Sequence, residues 1–377
     1  MNTDFVRRGN NFEITAGSAT LADKFMNQKT LIVAVWLGAF GFHAAAWDYE
    51  GHHAVNELAL AALPANFPAF ALTPETRTRI AFLAGEADRW RNETSLKNGT
   101  GLALGHASGP DHYLDMEDLK LYGLTPATLP PLRYDFVADI VKARAAHPER
   151  FPAIDPAKDA DHTRELSGFL PWAITEYYEK LQSGFSTLAA LEKFGGTPGE
   201  IANAKQDIVY VMGVMGHFVG DASQPLHTTM YHHGWTTNDN PHHYTTSFGF
   251  HAWIDGGFFS KTGGIDVKKL AEKIQPAGKI PAADEPNGIF ETTVGFITDN
   301  NKLVEPLFQM DRDGKLSNKE NRGVEGRAFL EGQLVKSGQL LGNLWLTAWL
   351  NAPEDTFLER ELQKRKTAAE NIPAESK

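Results

Sequence analysis

The run Gly216-His217-Phe218-Val219-Gly220-Asp221-Ala222-Ser223-Gln224-Pro225-Leu226-His227 constrains this chain more than any other stretch. It completes a segment, from Ile208 to Val219, that is apolar nearly all round, which predicts a central, buried helix. His217 and Asp221 stand four residues apart and therefore project from one face of that helix. Gly213, Gly216 and Gly220 lie along one side of it and leave room for another backbone to close in. Pro225 stops the helix, and His227 follows where the chain turns. Imidazole, carboxylate and imidazole form a donor set suited to zinc, which takes nitrogen and oxygen ligands. A second pair with the same spacing, His251 and Asp255, lies shortly downstream. Two such pairs, with His227 between them, suggest more than one metal ion.

Composition narrows the chemistry. There is no cysteine, so disulfides and thiolate ligands are excluded and any metal must be held by His, Asp, Glu or backbone. The formal charge of −11 argues against a protein that coats nucleic acid with a basic face. It does not exclude a phosphate substrate, because clustered divalent cations reverse the local sign.

The first 46 residues read as an extension followed by a leader. From Met26 the chain runs Met-Asn-Gln-Lys, an apolar stretch from Leu31 to Phe42, then His43-Ala44-Ala45-Ala46-Trp47. That is the pattern of a secretory signal peptide with an Ala-x-Ala cleavage site, and the apolar part is too short to span a bilayer. The expected product is an exported protein, periplasmic or secreted, that begins with the free α-amine of Trp47. Residues 1–25 fit no targeting signal and suggest a start placed too early.

The remainder reads as one mainly helical, all-α domain over 47–353. Thr73-Pro74 opens a helix expected to run through Asp88. Thr197-Pro198-Gly199-Glu200 is a capping box that opens the central helix. A last long helix is expected from about Glu325 to Leu350, ending before Pro353. The Pro-rich stretch from about 118 to 196 reads as an insertion, either a lid or a plain scaffold, with one clear helix near Trp172–Leu181. Residues 354–377 read as a charged, solvated tail.

Of the 14 histidines, 7 fall between His217 and His251. The ordered motifs are Trp47-x-x-x-Gly51-His52, Ala87-Asp88-x-x-Arg91, His112-Tyr113-x-Asp115, His217-x-x-x-Asp221-x-x-x-x-x-His227 and His251-x-x-x-Asp255. In this order and spacing the chain resembles the zinc-dependent single-strand-specific nucleases, of the mung bean and plant bifunctional type, in the superfamily shared with bacterial zinc phospholipase C. The resemblance covers nearly all of the chain from Trp47 onward in motif order and implies three zinc ions. Asp88, His112, His217 and Asp221 would hold one. Trp47, through its amine and carbonyl, and His52 would hold a second, with Asp221 bridging the two. His227, His251 and Asp255 would hold the third. The implied activity is hydrolysis of single-stranded DNA or RNA to 5′-phosphate products. Asp88 would also position the attacking water, Arg91 would clamp the phosphate, Asp115 would orient Arg91, and Tyr113 would contact the substrate by stacking on a base.

Other readings stay open at this point. Arg91 could serve only as a salt-bridge partner of Asp115, and Tyr113 could serve only in packing. The segment Thr228–Trp235 departs from the family's Gly-Gly-Asn loop, which leaves substrate preference open. A phospholipase C-like or phosphomonoesterase activity is the nearest rival, and a non-catalytic zinc-binding protein is the rival from another class. Asp311–Glu320 resembles part of an EF-hand loop and could hold a structural calcium ion, or be a polar turn.

Overall fold

In the computed structural model, residues 47–91, 99, 101–237, 239–319 and 323–370 are described. The chain divides into two units, Met1–Gly41 and Phe42–Lys377. The expected extension and leader over residues 1–46 lie outside the described residues. The second unit is all-α, with no strand among the described residues. Its main helices are α1 (Tyr49–Ala62), α2 (Pro74–Leu83), α3 (Glu86–Trp90), α4 (Leu102–Ser108), α5 (Arg133–Ala146), α6 (Leu170–Phe194), α7 (Pro198–Ser223), α8 (Gly288–Asn301), α9 (Val304–Arg312), α10 (Val324–Leu350) and α11 (Thr356–Glu370).

The capping box predicted at Thr197 is formed in both halves. Thr197 Oγ1 accepts from the Glu200 N–H at 3.2 Å, and the Glu200 carboxylate accepts from the Thr197 N–H at 2.7 Å. These bonds satisfy orphan donors at the helix start. The helix they open, α7, is buried almost continuously from Val214 to Ser223. Helices α1, α2, α6 and α10 pack around it. The close approach of α1 and α2 depends on two of the glycines picked out above. A methyl group on Gly216 would meet Asn56 of α1, and one on Gly213 would meet Leu83 of α2. Asn56 is itself buried and donates to Ile80 O at 2.8 Å and Gly213 O at 2.9 Å, so it links all three helices.

Three expectations are corrected here. The helix from Pro74 does not continue to Asp88 but breaks at Ala84–Gly85, and Asp88 sits on the separate helix α3. The break frees the Ala84 carbonyl for a bond to His217 described below. The 118–196 stretch is not an insertion throughout: α6, its last part, is a core helix packed along α7. Its middle part is anchored on α6 by Phe136, whose ring stacks on Trp172 at 4.5 Å. The 354–377 stretch is not simply a solvated tail, since α11 covers 356–370. Leu362 is buried against the body of the protein, and Arg365 pairs with Glu200 at 2.8 Å. Leu358 and Leu362, four apart, form an apolar stripe narrow enough to be hidden among charges.

Candidate metal centre

The end of α7 sets the positions of the centre. His217 Nδ1 donates to the Ala84 carbonyl at 2.6 Å, which leaves Nε2 with its lone pair facing inward. That Nε2 lies 3.0 Å from His112 Nδ1, 3.5 Å from Asp221 Oδ2 and 3.7 Å from Asp88 Oδ1. His112 comes from the 3-10 turn Gly109–His112, and its Nδ1 lies 3.0 Å from Asp221 Oδ2. From α1, His52 stacks on His217 at 3.8 Å and brings Nε2 to 3.4 Å from Asp221 Oδ1. The two oxygens of Asp221 thus face different histidines.

Beyond Pro225 a 3-10 turn, Pro225–Thr228, carries His227 back toward the helix end. His227 Nδ1 donates to the His112 carbonyl at 2.7 Å, so its Nε2 is also bare, and it faces His251 Nε2 at 3.0 Å. His251 and Asp255 lie on a helical stretch with a π turn at Trp253–Gly257, and His251 Nε2 is 3.3 Å from Asp255 Oδ2. Gln224 Nε2 donates to Asp255 Oδ1 at 2.6 Å, holding the other oxygen toward His251.

Three groups result: His52, Asp88 and His217; His112, His217 and Asp221; His227, His251 and Asp255. Within each, the ligand atoms lie within 4.8 Å of one another. The closest of these spacings match the edge of a tetrahedron with metal–ligand bonds of about 2.0–2.1 Å, roughly 3.3 Å. The residues fit metal ions on a second ground as well. Asp221 and Asp255 are essentially inaccessible, yet Asp221 Oδ1 and Asp255 Oδ2 accept no hydrogen bond among the described residues. A buried carboxylate oxygen left this way is costly unless a cation faces it.

The protonation pattern of the residues alone points the same way. Burial pushes Asp221 and Asp255 well above the usual carboxylate range. Burial, then neighbouring charges, hold His112 and His251 well below the usual imidazole range. His227 is held well below it by burial, against the opposing bond to the His112 carbonyl. His217 is lowered to about 4 by burial, then by His52. Burial raises Asp88, but Arg91, His217 and His52 together outweigh it and bring the carboxyl down to about 2. These are imidazole donors that favour the neutral form and, at Asp221 and Asp255, buried carboxyls that favour the protonated form unless a cation is present. The buried His and Asp groups can hold metal ions.

The remaining expected residues take varied places. The Trp47 side chain is fully buried, with its indole N–H shared between Gly220 O at 3.0 Å and Ser223 Oγ at 3.2 Å. The next residue, Asp48, donates its N–H to Asp255 O at 3.1 Å, which ties the start of the described chain to the centre. Arg91 reaches the rim and donates from Nε and Nη2 to one oxygen, Asp88 Oδ1, at 3.0 and 2.7 Å. Arg91 pairs with Asp88 from within the same turn, and no hydrogen bond or ion pair joins it to Asp115 among the described residues. Tyr113 is half-buried, and its hydroxyl donates to Leu166 O at 3.3 Å. The calcium alternative for Asp311–Glu320 finds no ligand group among the described residues. Asp311 lies inside α9, Asp311 and Asp313 join no metal-ligating group among the described residues, and Glu320 lies outside them.

Residue patterns alone missed Gln224 and the carbonyls of Ala84 and His112. A glutamine just before the helix-ending proline was the available signal for Gln224. Carbonyl acceptors leave no mark in a side-chain pattern. The chain matches no protein-family model, and no curated protein matches it either.

Proposed function

We propose that the protein is a zinc-dependent phosphodiesterase that cleaves single-stranded DNA or RNA to 5′-phosphate products. The observation that carries this reading is the placement of Asp221, whose two oxygens face His52 at 3.4 Å and His112 at 3.0 Å, joining two ligand groups at one carboxylate. The third group adjoins the other two through His227, whose Nδ1 lies 4.0 Å from Asp221 Oδ1. A set of histidine and carboxylate donors without thiolate suits zinc. When bound, zinc supplies positive charge for the phosphoryl oxygens and lowers the pKa of water toward neutrality.

The chain's own groups then divide the work. Asp88 binds on one side and, through Oδ1, fixes Arg91. Arg91 keeps about a quarter of its side chain exposed, 24 %, and its guanidinium offers charge to a phosphate as negative charge develops. Ala84 O, His112 O and Gln224 hold the tautomers and rotamers of the ligands. Export with cleavage before Trp47 completes the proposal, because a free amine there adds a nitrogen donor next to His52.

The experiment compares protein beginning at Trp47 with protein retaining the preceding residues. Zinc content and chelator-sensitive cleavage of single-stranded DNA and RNA are measured on each. The expected result is about three zinc ions and rapid cleavage for the first, and less zinc and little cleavage for the second. In the active form, Arg91→Ala keeps its zinc and loses about 10²- to 10³-fold in turnover. Three zinc ions with turnover of choline phospholipid and none of either nucleic acid would move the substrate to lipid.

A further inference from the structure

We propose that Phe248 and His233 form a stacking platform for an unpaired nucleobase beside the His227–His251–Asp255 group. This rests on the single-strand reading above and names the surface that selects for it.

The segment between His227 and Phe250 folds back on itself. The Trp235 N–H donates to Thr245 O at 2.8 Å, and Asn240 bridges both main-chain groups of Tyr244 at 2.9 Å. Trp235 stacks on Tyr231 at 4.1 Å with the rings nearly parallel, at 4°. Gly234 makes the closure possible: its φ is +99°, and a methyl group there would lie 2.7 Å from the Thr246 carbonyl carbon. This closure brings the residues flanking it, His233 and Phe248, into a stack with centroids 4.1 Å apart and an interplanar angle of 29°.

The stack has an inner and an outer side. Inward, the His233 ring lies 5.7 Å from the metal-ligating ring of His251 and 4.4 Å from His232. Outward, Phe248 is 72 % exposed, although one face of its ring is covered by His233. A lone exposed aromatic is ordinary. This one is flanked by a closed loop and a partner ring, one ring removed from His251 of the centre. The exposed Arg164 is near enough for its charge to act on both His232 and His233, and it offers a cation for a neighbouring phosphate. An aromatic face accepts any base without regard to sequence. It accepts only a base that has left its own stack, which a duplex opposes. The platform therefore favours single strands. It lies beside the centre independently of Tyr113, whose hydroxyl is engaged by Leu166.

The test measures the Kd of zinc-loaded protein for a cleavage-resistant phosphorothioate oligothymidylate and for the same backbone without bases. Wild type is expected to bind the base-bearing strand about 5- to 100-fold more tightly. Phe248→Ala should abolish that preference with zinc content unchanged, and Phe248→Trp should keep it. Full preference in Phe248→Ala overturns the platform while leaving the nuclease reading intact. Wild-type binding to phosphatidylcholine vesicles, lost in Phe248→Ala, with no binding to either strand, overturns both.

Discussion

At the scale of the residue, the centre is defined by which atom each side chain turns inward, and main-chain carbonyls make that choice for two of the histidines. His217 and His227 each donate Nδ1–H to a carbonyl, from Ala84 and His112, and so present Nε2. Gln224 makes the corresponding choice for Asp255. The consequence for pH follows from the direction of the shifts. Burial raises Asp221 and Asp255, so the metal-free protein holds protons on both to higher pH than free carboxyls do. The ligand imidazoles, held low, lose their protons at lower pH than free imidazoles do. Metal must displace the carboxyl protons, so zinc affinity should rise with pH above the free-carboxyl value of about 4, up to roughly tenfold per pH unit for each proton released. Calorimetric titration in buffers of different ionisation enthalpy counts these protons. Asp255→Asn should remove one of them, and an affinity independent of pH above that value would contradict the assignment.

At the scale of the element, the centre depends on how closely α1 and α2 approach α7. Gly216 sits where a methyl would collide with Asn56 and with Leu341 of α10, and Asn56 cannot retreat without losing its bonds to Ile80 O and Gly213 O. Gly216→Ala should therefore lower stability by about 1–3 kcal/mol and disturb the position of His52 one turn before Asn56. Gly332 of α10 offers an internal control. Nothing lies within 4 Å of a methyl placed there, so Gly332→Ala should raise stability by about 0.8–1.0 kcal/mol through helix propensity alone. Urea denaturation of the two variants should place them on opposite sides of wild type. The reverse order would show that α7 and α1 are held apart by something other than backbone contact.

At the scale of the whole molecule, ligands arrive from α1, α3, the turn before Tyr113, the end of α7, the turn after it and the stretch around His251. An ion at their meeting point ties distant parts of the chain together. Chelation should then act on global stability as well as on activity. Metal present at about 1,000 times its Kd contributes about 4 kcal/mol per site by mass action. Thermal unfolding should accordingly shift down by at least about 5 °C on zinc removal and recover on zinc addition. An unchanged transition would mean that the groups do not hold metal in solution. Among the described residues, no helix is long and apolar enough to cross a membrane.

Much of this was legible in the sequence because its signals are local. The Thr197 cap, the apolar run to Val219, the stop at Pro225 and the His217–Asp221 spacing depend on residues within a few turns of one another. Together they determine a central helix ending in side chains that can hold a metal ion. The glycine row likewise announced a close neighbour without naming it. Only the tertiary structure could say that the neighbour is Asn56, that the helix from Pro74 breaks to offer Ala84 O, that α6 is core and not insertion, and that Arg91 is held by Asp88 instead of Asp115. Each of these is a contact between segments distant in sequence, or a competition that packing settles. The α11 helix shows the same limit, since two leucines in a charged run become an apolar stripe only when α6 lies beneath them. Donor types are a property of the chain, whereas their convergence on common points, and the burial that shifts their protonation, arise from packing.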